Sequence, residues 1–452
     1  MTPIKISKGL DIPIAGKPAA PLHEVSHEGD IAVYQEFEGL KAKLKVQEGD
    51  LVEHGQVLFI DKKQPDLQFC SPVAGTVKAI EYGARRALYR VIIEPSAGDQ
   101  PVTFNRYTLD QLRGIGRDAA LENLLASGLL SLIRQRPFSR IADASVTPKS
   151  IFVNAMNTAP FGPDINVAVQ GREQALQAGV HILTQLTEGP VYLCLAPSAA
   201  EAVRNLDGAE KHVFEGPHPA GNTSVHIHHL DPMLPADQVW NVKAVDLIRI
   251  GELFLNGTLP TTSVVSLAGP GVQETARAHY RVPIGMPLSA LLDGKLESGE
   301  HRIVKGNALA GVAMKSDEHV SAIESALTII PESEEQYFMG WLAPGINKLS
   351  ASRTYLSGWN GHKREWKLTT LLNGSYRSMV FTGLYDKYVP LNILVDYLVR
   401  AVLAHDTDEA ISLGILETDP EDFALCSYVC PSKMDISGII KQGLAEIEKE
   451  GI

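Results

Sequence analysis

Cysteine is scarce in this chain: four residues, Cys70, Cys194, Cys426 and Cys430, are spread over 452 positions. So few thiols exclude a disulfide framework, and a chain of this length buries enough apolar surface to need none. Aromatic residues make up only 6% of the sequence. Long apolar runs are missing too. No stretch reaches the roughly 18 residues of a membrane-crossing helix. The best candidate, 391–404, is broken by Asn392, Asp396 and Arg400. The opening residues Thr2-Pro3-Ile4-Lys5-Ile6 lack the apolar core of a secretory signal, so a reducing cytoplasm is the expected compartment. Positive charge is in deficit: 41 Lys and Arg against 53 Asp and Glu leave a net charge of −12. That balance disfavours nucleic acid and direct adsorption to an anionic lipid surface.

What is present divides the chain into four textures. Residues 1–100 read as β, with short alternating pieces at Leu44–Val46, Val57–Ile60 and Thr76–Ile80. In 101–256, helical stretches (Leu121–Arg134, Arg172–Leu186) alternate with buried-strand runs (Ser150–Val153, Val191–Leu195), the pattern of an α/β layer. Residues 257–330 return to β, with the β-branched run Thr262–Leu267 ending at Gly269-Pro270-Gly271. From 331 to 452 the expectation is helical. Leu391, Leu394, Val395, Leu398 and Val402 form an amphipathic stripe with Pro390 at its start, and Ile436, Ile439, Ile440, Leu444 and Ile447 form another.

Within 1–100, Val46-Gln47-Glu48-Gly49-Asp50 and His54-Gly55 are followed by Ser71-Pro72-Val73-Ala74-Gly75-Thr76-Val77. Gly49, Gly55 and Gly75 suit backbone positions with φ > 0 between short strands. The pairing resembles the biotinyl/lipoyl-type barrel-sandwich hybrid. Carriers of that type hold a modified lysine in a tight hairpin. Here the equivalent stretch is Asp61-Lys62-Lys63-Gln64, with no methionine nearby, so the fold is expected without the modification.

Residues 150–169 run from a buried strand through a polar turn toward a helix, and resemble the NADH-binding flavoprotein subunit of respiratory complex I and its Rnf relative. Those proteins carry a glycine-rich loop upstream that brings backbone N–H groups to phosphates. The corresponding stretch here, Gly128 to Phe138, is filled with Leu, Ile, Arg and a proline, which argues against a phosphate cradle. Gly114-Ile115-Gly116 is a fragment of a Gly-x-Gly loop, but no strand precedes it.

Cys426-Ser427-Tyr428-Val429-Cys430-Pro431 matches the end of a ferredoxin-type cluster motif. The two earlier ligand positions fall on Pro420 and Phe423, neither of which ligates iron. Cys426 and Cys430 are therefore expected to be non-ligating remnants. His226 and His228 would share one face of a strand, with His218 and Asp231 close by. Without a cysteine among them a metal site is not expected, and hydrogen-bonded histidines in a packed corner are the simpler reading. The stretch from Val264 to Gly285 resembles the soluble-ligand-binding β-grasp domain.

Over nearly its whole length the chain resembles the A-subunit family of the bacterial sodium-translocating NADH:quinone oxidoreductases (Na+-NQR). The matches are Ile6-Ser7-Lys8-Gly9-Leu10-Asp11-Ile12-Pro13-Ile14-Ala15-Gly16, Gly216-Pro217-His218-Pro219-Ala220-Gly221, His226-Ile227-His228, and Leu425-Cys426 with Cys430-Pro431. The resemblance implies a multidomain α/β chain: barrel-sandwich domain 1–100, degenerate complex-I-flavoprotein-like Rossmann-type domain 101–256, β-grasp domain 257–330 and C-terminal helical domain 331–452. It implies a peripheral position on the cytoplasmic side of the inner membrane, held by membrane-embedded and NADH-oxidising partner subunits. FAD, FMN, riboflavin and the iron–sulfur centre would reside in those partners. This chain would carry no cofactor and no catalytic residue, but would contribute to ubiquinone binding and complex assembly. A quinone head needs an apolar, aromatic slot with one or two donors. Arg134, Arg136 and Phe138, which replace the cofactor loop, are the candidates. A ligand-free scaffold and an NADH-binding flavoprotein are the alternatives.

Overall fold

The expected buried strands of the α/β layer form, and their alternation shows what covers each face. The computed structural model describes residues 2–96, 100–333, 338–340, 342–359 and 364–451. A seven-stranded sheet has the order Ile4–Lys5, Glu210–Glu215, Val191–Leu195, Ser150–Ala155, Val239–Lys243, Arg134–Arg136, Arg140–Ile141. The first five strands are parallel and the last two antiparallel. Ile151, Val153, Leu193, Leu195, Trp240 and Val242 face one core, while Phe152, Cys194, Phe214 and Val239 face the other. Both faces are covered, so the strands read as continuous apolar runs.

On the first face lie the helices Arg117–Ser127, Glu173–Leu186 and Ala244–Asn256. The latter two cross closely. A Cβ on Gly251 would stand 1.7 Å from Ala175 O, and one on Gly179 2.6 Å from Leu247. On the second face lie the Thr223–Leu230 helix and the C-terminal helices Val395–Leu403, Ala424–Val429 and Ile436–Glu450. Leu398, Phe423, Ile436, Ile440 and Ile447 are fully buried there. Each such side chain contributes roughly 1.5–3 kcal/mol by leaving water.

Residues 31–95 form two small antiparallel sheets, one of four strands (Ile31–Tyr34, Leu88–Pro95, Gly75–Tyr82, Leu51–Val52) and one of three (Ala42–Leu44, Val57–Asp61, Gln68–Cys70). Gly49 and Gly55 have φ of +91° and +87° as expected. Gly75 does not have positive φ. It is required instead because a Cβ would meet Glu94 O at 2.2 Å. A six-stranded sheet has the order Val312–Met314, His301–Lys305, Ala326–Pro331, Thr262–Ala268, Ala278–Pro283, Leu22–Glu24.

Four local expectations are corrected. The helix expected over Leu121–Arg134 ends at Ser127. Gly128 takes φ +76°, Leu129–Leu132 forms a 3-10 turn, and Arg134–Arg136 is a strand. The expected strand Leu44–Val46 lies two residues earlier, at Ala42–Leu44. The stretch after Pro331 is not helical before Val395 beyond short 3-10 turns at Leu356–Trp359 and Tyr385–Lys387, among the described residues. The helix expected from Leu391 begins at Val395 because the Asp386 carboxylate accepts the Val395 N–H at 3.2 Å.

Candidate functional site

Gly128 brings the end of the Arg117–Ser127 helix against the strand Gln68–Cys70. A Cβ there would lie 2.2 Å from Gln68 O, so only glycine allows the approach. The Cys70 thiol donates to Ala126 O at 3.3 Å across the same seam, and burial pushes its pKa up to about 12. This seam walls a cavity of about 70 Å³ at the meeting of the small sandwich, the α/β layer and the six-stranded sheet. Phe37, Phe69, Leu129, Leu132, Leu259 and Ile284 supply its apolar lining. The Phe37 and Phe69 rings lie 5.7 Å apart, tilted by 38°.

Tyr34, Glu36 and Arg249 bring larger polar groups to the cavity. The Tyr34 hydroxyl accepts from Arg90 Nη1 at 3.0 Å and from the His319 backbone N–H at 2.9 Å. Burial raises its pKa. Glu36 is ion-paired with Lys305, which also donates to Ser321 Oγ at 2.8 Å. Arg249 differs from both. It is only 4% exposed, and among the described residues no carboxylate forms an ion pair with it. Its Nη1 donates to Ala322 O at 2.5 Å, while its buried Nε has no partner. Burial pulls its pKa down, against the field of Asp246 and Glu252.

Of the three residues singled out in the sequence, none lines this cavity, and one touches a residue of its wall. The Arg134 guanidinium lies 4.9 Å from the centroid of the Phe37 ring. Arg136 turns away: its Nη1 donates to Thr418 O at 3.0 Å and lies 3.1 Å from the Asp419 carboxylate. Phe138, with φ +75°, packs at the edge of the core shared with the C-terminal helices. The structure therefore does not bring Arg134, Arg136 and Phe138 together at one surface.

The histidine reading needs correction. Residues 223–230 form a helix, so His226 and His228 do not share a strand face. Side chains two apart on a helix point to different sides. His226 is buried, donates from Nε2 to Ala220 O at 3.0 Å and has its pKa lowered to about 3 by burial. His228 Nδ1 contacts Glu417 Oε2 at 3.3 Å. His218 meets Thr158 Oγ1 at 3.2 Å, and burial lowers its pKa to about 4. Asp231 is engaged by Ser150 and Lys149, each at 2.7 Å.

Cys426 and Cys430 lie inside the C-terminal core. The Cys430 sulfur is 3.1 Å from Tyr385 Oη and accepts the Met434 N–H at 3.3 Å. Burial raises the Cys426 thiol pKa, which disfavours a ligating thiolate. Pro420 and Phe423 stand in the 3-10 turn leading into their helix, so the donor set for a cluster does not fit. No group of three or more His, Cys, Asp or Glu is placed to hold a metal ion among the described residues. Lys62 and Lys63 are exposed at the turn between Val57–Asp61 and Gln68–Cys70. Gly114 faces open space, and Gly116, φ +81°, sits just before the Arg117–Ser127 helix with its N–H donated to Gln185.

Sequence reasoning missed Tyr34, Phe37, Phe69 and Arg249, because the cavity gathers them from segments that carry no shared motif. One signal existed: Arg249 interrupts the apolar run Leu247-Ile248-Arg249-Ile250 of an otherwise buried helix.

Three family descriptions match the chain: "NqrA N-terminal barrel-sandwich hybrid domain" over residues 4–96, "NqrA second alpha/beta domain" over 115–259 and "NQRA C-terminal domain" over 264–316. Among curated proteins, the chain is 42% identical over 453 residues to the A-subunit of the Na(+)-translocating NADH-quinone reductase of Pasteurella multocida, covering 99% of this chain and 100% of that one. The proteins of the same name from Histophilus somni and Haemophilus influenzae are 39% and 40% identical, at the same coverage.

Proposed function

The chain belongs to the NqrA family of the Na(+)-translocating NADH-quinone reductases, and from that premise we propose that it is the peripheral subunit that receives the quinone. The observation that carries this reading is the cavity beside Gly128–Leu132. In the flavoproteins that this α/β layer resembles, the equivalent stretch cradles a cofactor. Here Leu129 and Leu132 fill that place, and with Phe37 and Phe69 they make an apolar, aromatic slot with a few polar groups. That composition suits a planar ring with carbonyl oxygens and a greasy tail better than a phosphate. Arg134 packs its guanidinium against the Phe37 ring, while Arg136 and Phe138 fix the adjoining edge of the sheet to the C-terminal helices.

The chain would sit on the cytoplasmic side of the inner membrane through its partners. No described helix is long and apolar enough to cross a membrane. Of the exposed large apolar side chains, a group including Phe338, Leu342, Ile346, Trp359, Leu372 and Tyr376 lies within the irregular stretch before Val395, and supports a docking role for it. The partner there would be a membrane-embedded protein of the same complex. Other subunits would hold FAD, FMN, riboflavin and the iron–sulfur centre. Residues 257–330 would be the β-grasp unit of the family, contributing one wall of the slot through Ile284 and Leu259.

Titration of the purified full chain with a short-chain ubiquinone tests the quinone reading. Saturable binding that is lost when Leu132 is enlarged to Trp is the expected result. Binding of equal strength in that variant would place the quinone elsewhere.

A further inference from the structure

Arg249 is a buried guanidinium for which the described residues supply one hydrogen bond and no ion pair. A charge taken out of water without a counter-charge is costly unless its donors are used. The chain gives Arg249 one acceptor, Ala322 O, and leaves Nε without one. The side chain borders two hollows at once. One is the 70 Å³ cavity described above. The other, of about 10 Å³, is lined by Arg172, Asp246, Ser263 and Glu324, and holds a second unpartnered polar atom, Ser263 Oγ. Arg172, the other cation beside that smaller hollow, is ion-paired with Glu252 at 3.0 Å. Glu36, the carboxylate that reaches the larger cavity, is ion-paired with Lys305. Asp246, on the smaller hollow, reaches Arg249 through its field without forming an ion pair, and Arg249 is the one cationic group lining the larger cavity among the described residues.

We propose that Arg249 donates a hydrogen bond to a carbonyl oxygen of the ring bound in the larger cavity, and that the cavity selects carbonyl-bearing rings over plain aromatic ones through this bond. The assignment rests on the quinone reading of that cavity. Phe37 and Phe69 supply a ring-sized apolar wall, which by itself would accept any aromatic molecule of similar shape. Discrimination against a ring lacking the oxygen comes from the buried donor that such a ring leaves unsatisfied. A guanidinium suits the task because it offers several donors in one plane and stays charged when buried. It would also favour the ring as electron density builds on that oxygen during reduction, since a positive donor in a water-poor site stabilises developing negative charge.

The test compares two ligands on three proteins by calorimetry with the full chain. The ligands are a short-chain ubiquinone and the same dimethoxy-methyl ring with the same tail but hydrogen in place of both carbonyl oxygens. The wild-type chain is expected to prefer the quinone by about tenfold or more. Arg249→Met keeps the length of the stem and removes the donors, and is expected to bind the two ligands equally. Arg249→Lys, which keeps the charge with a single ammonium, is expected to retain part of the preference. It also serves as the measured variant if the Met protein does not fold. A quinone preference undiminished in both variants overturns the role of Arg249 and leaves the quinone reading standing. Absence of saturable quinone binding in the wild-type chain overturns the quinone reading, and this inference with it.

Discussion

The Arg136 guanidinium and the Asp419 carboxylate meet at 3.1 Å across the boundary between the α/β sheet and the C-terminal helices. Arg136 is 3% exposed, so its charge depends on this partner and on Thr418 O. Asp419 has a second task, accepting the Glu421 N–H at the start of the Pro420–Phe423 turn. Replacing Asp419 by Ala removes the one carboxylate that forms an ion pair with this buried cation among the described residues, which costs about 3 kcal/mol. Urea unfolding of Asp419→Ala, Arg136→Met and the double variant checks it. The double variant should lose less than the two single losses combined. Strict additivity would mean the two side chains do not support each other.

The crossing of Glu173–Leu186 with Ala244–Asn256 predicts a sharp contrast between glycines. Gly251→Ala places a methyl group where Ala175 O already stands, so the helices must separate, and a loss of about 3 kcal/mol or a failure to fold is expected. Gly114→Ala meets nothing within 4 Å and has no positive φ. It should be neutral or stabilising by up to about 1 kcal/mol. Thermal unfolding of the two variants decides the matter.

Glu324 gives a pH prediction. Burial raises its carboxyl pKa to about 7, against the opposing pull of Lys305. The folded chain therefore holds a proton that the unfolded chain releases near the ordinary value of 4.5. Stability from this group is fully present below the unfolded value and is lost as pH rises through the folded value. Glu324→Gln removes the titration. Between about pH 5 and pH 8, the wild-type chain should lose stability relative to the Gln variant, by an amount on the order of 3 kcal/mol. Parallel stability–pH curves for the two proteins would refute the assignment.

Phe338 and Trp359 are 94% and 91% exposed. Changing both to Ser should alter the stability of the isolated chain by less than about 0.5 kcal/mol. The same changes should reduce the amount of this chain that stays with its partner subunits during purification of the whole complex. Full retention would remove this stretch from the docking surface.

Much of the α/β layer was legible because parallel, doubly covered strands leave an unmistakable trace: Val191–Leu195 is found where the apolar run predicted it. The helix Ile436–Glu450 was legible from its stripe of Ile and Leu. The helix containing His226 was not. Val225-His226-Ile227-His228 alternates as a strand would, and over so few residues the period of 2 cannot be told from a helical turn. The end of the Arg117–Ser127 helix was hidden for another reason: Gly128 stops it by meeting Gln68, a contact between remote segments. The cavity was illegible on the same grounds. Arg249 reads in sequence as one charge on a helix, and only its burial against Ala322, from a remote segment, makes that charge a buried donor.

The first strands of the chain join sheets that are completed far later. Ile4–Lys5 pairs with Phe214 and Glu215, and Leu22–Glu24 pairs with His279 to Arg281. During synthesis these two strands leave the ribosome with their hydrogen-bonding edges open. They must wait for roughly two hundred further residues, or about 10–40 s at ordinary elongation rates, before their partner strands exist. Polar and charged neighbours such as Lys5, Lys8, His23 and Glu24 keep that waiting segment soluble. These early strands are thus locked in only after their partner strands in the α/β layer and the six-stranded sheet have been made, though before the C-terminal helices that follow them.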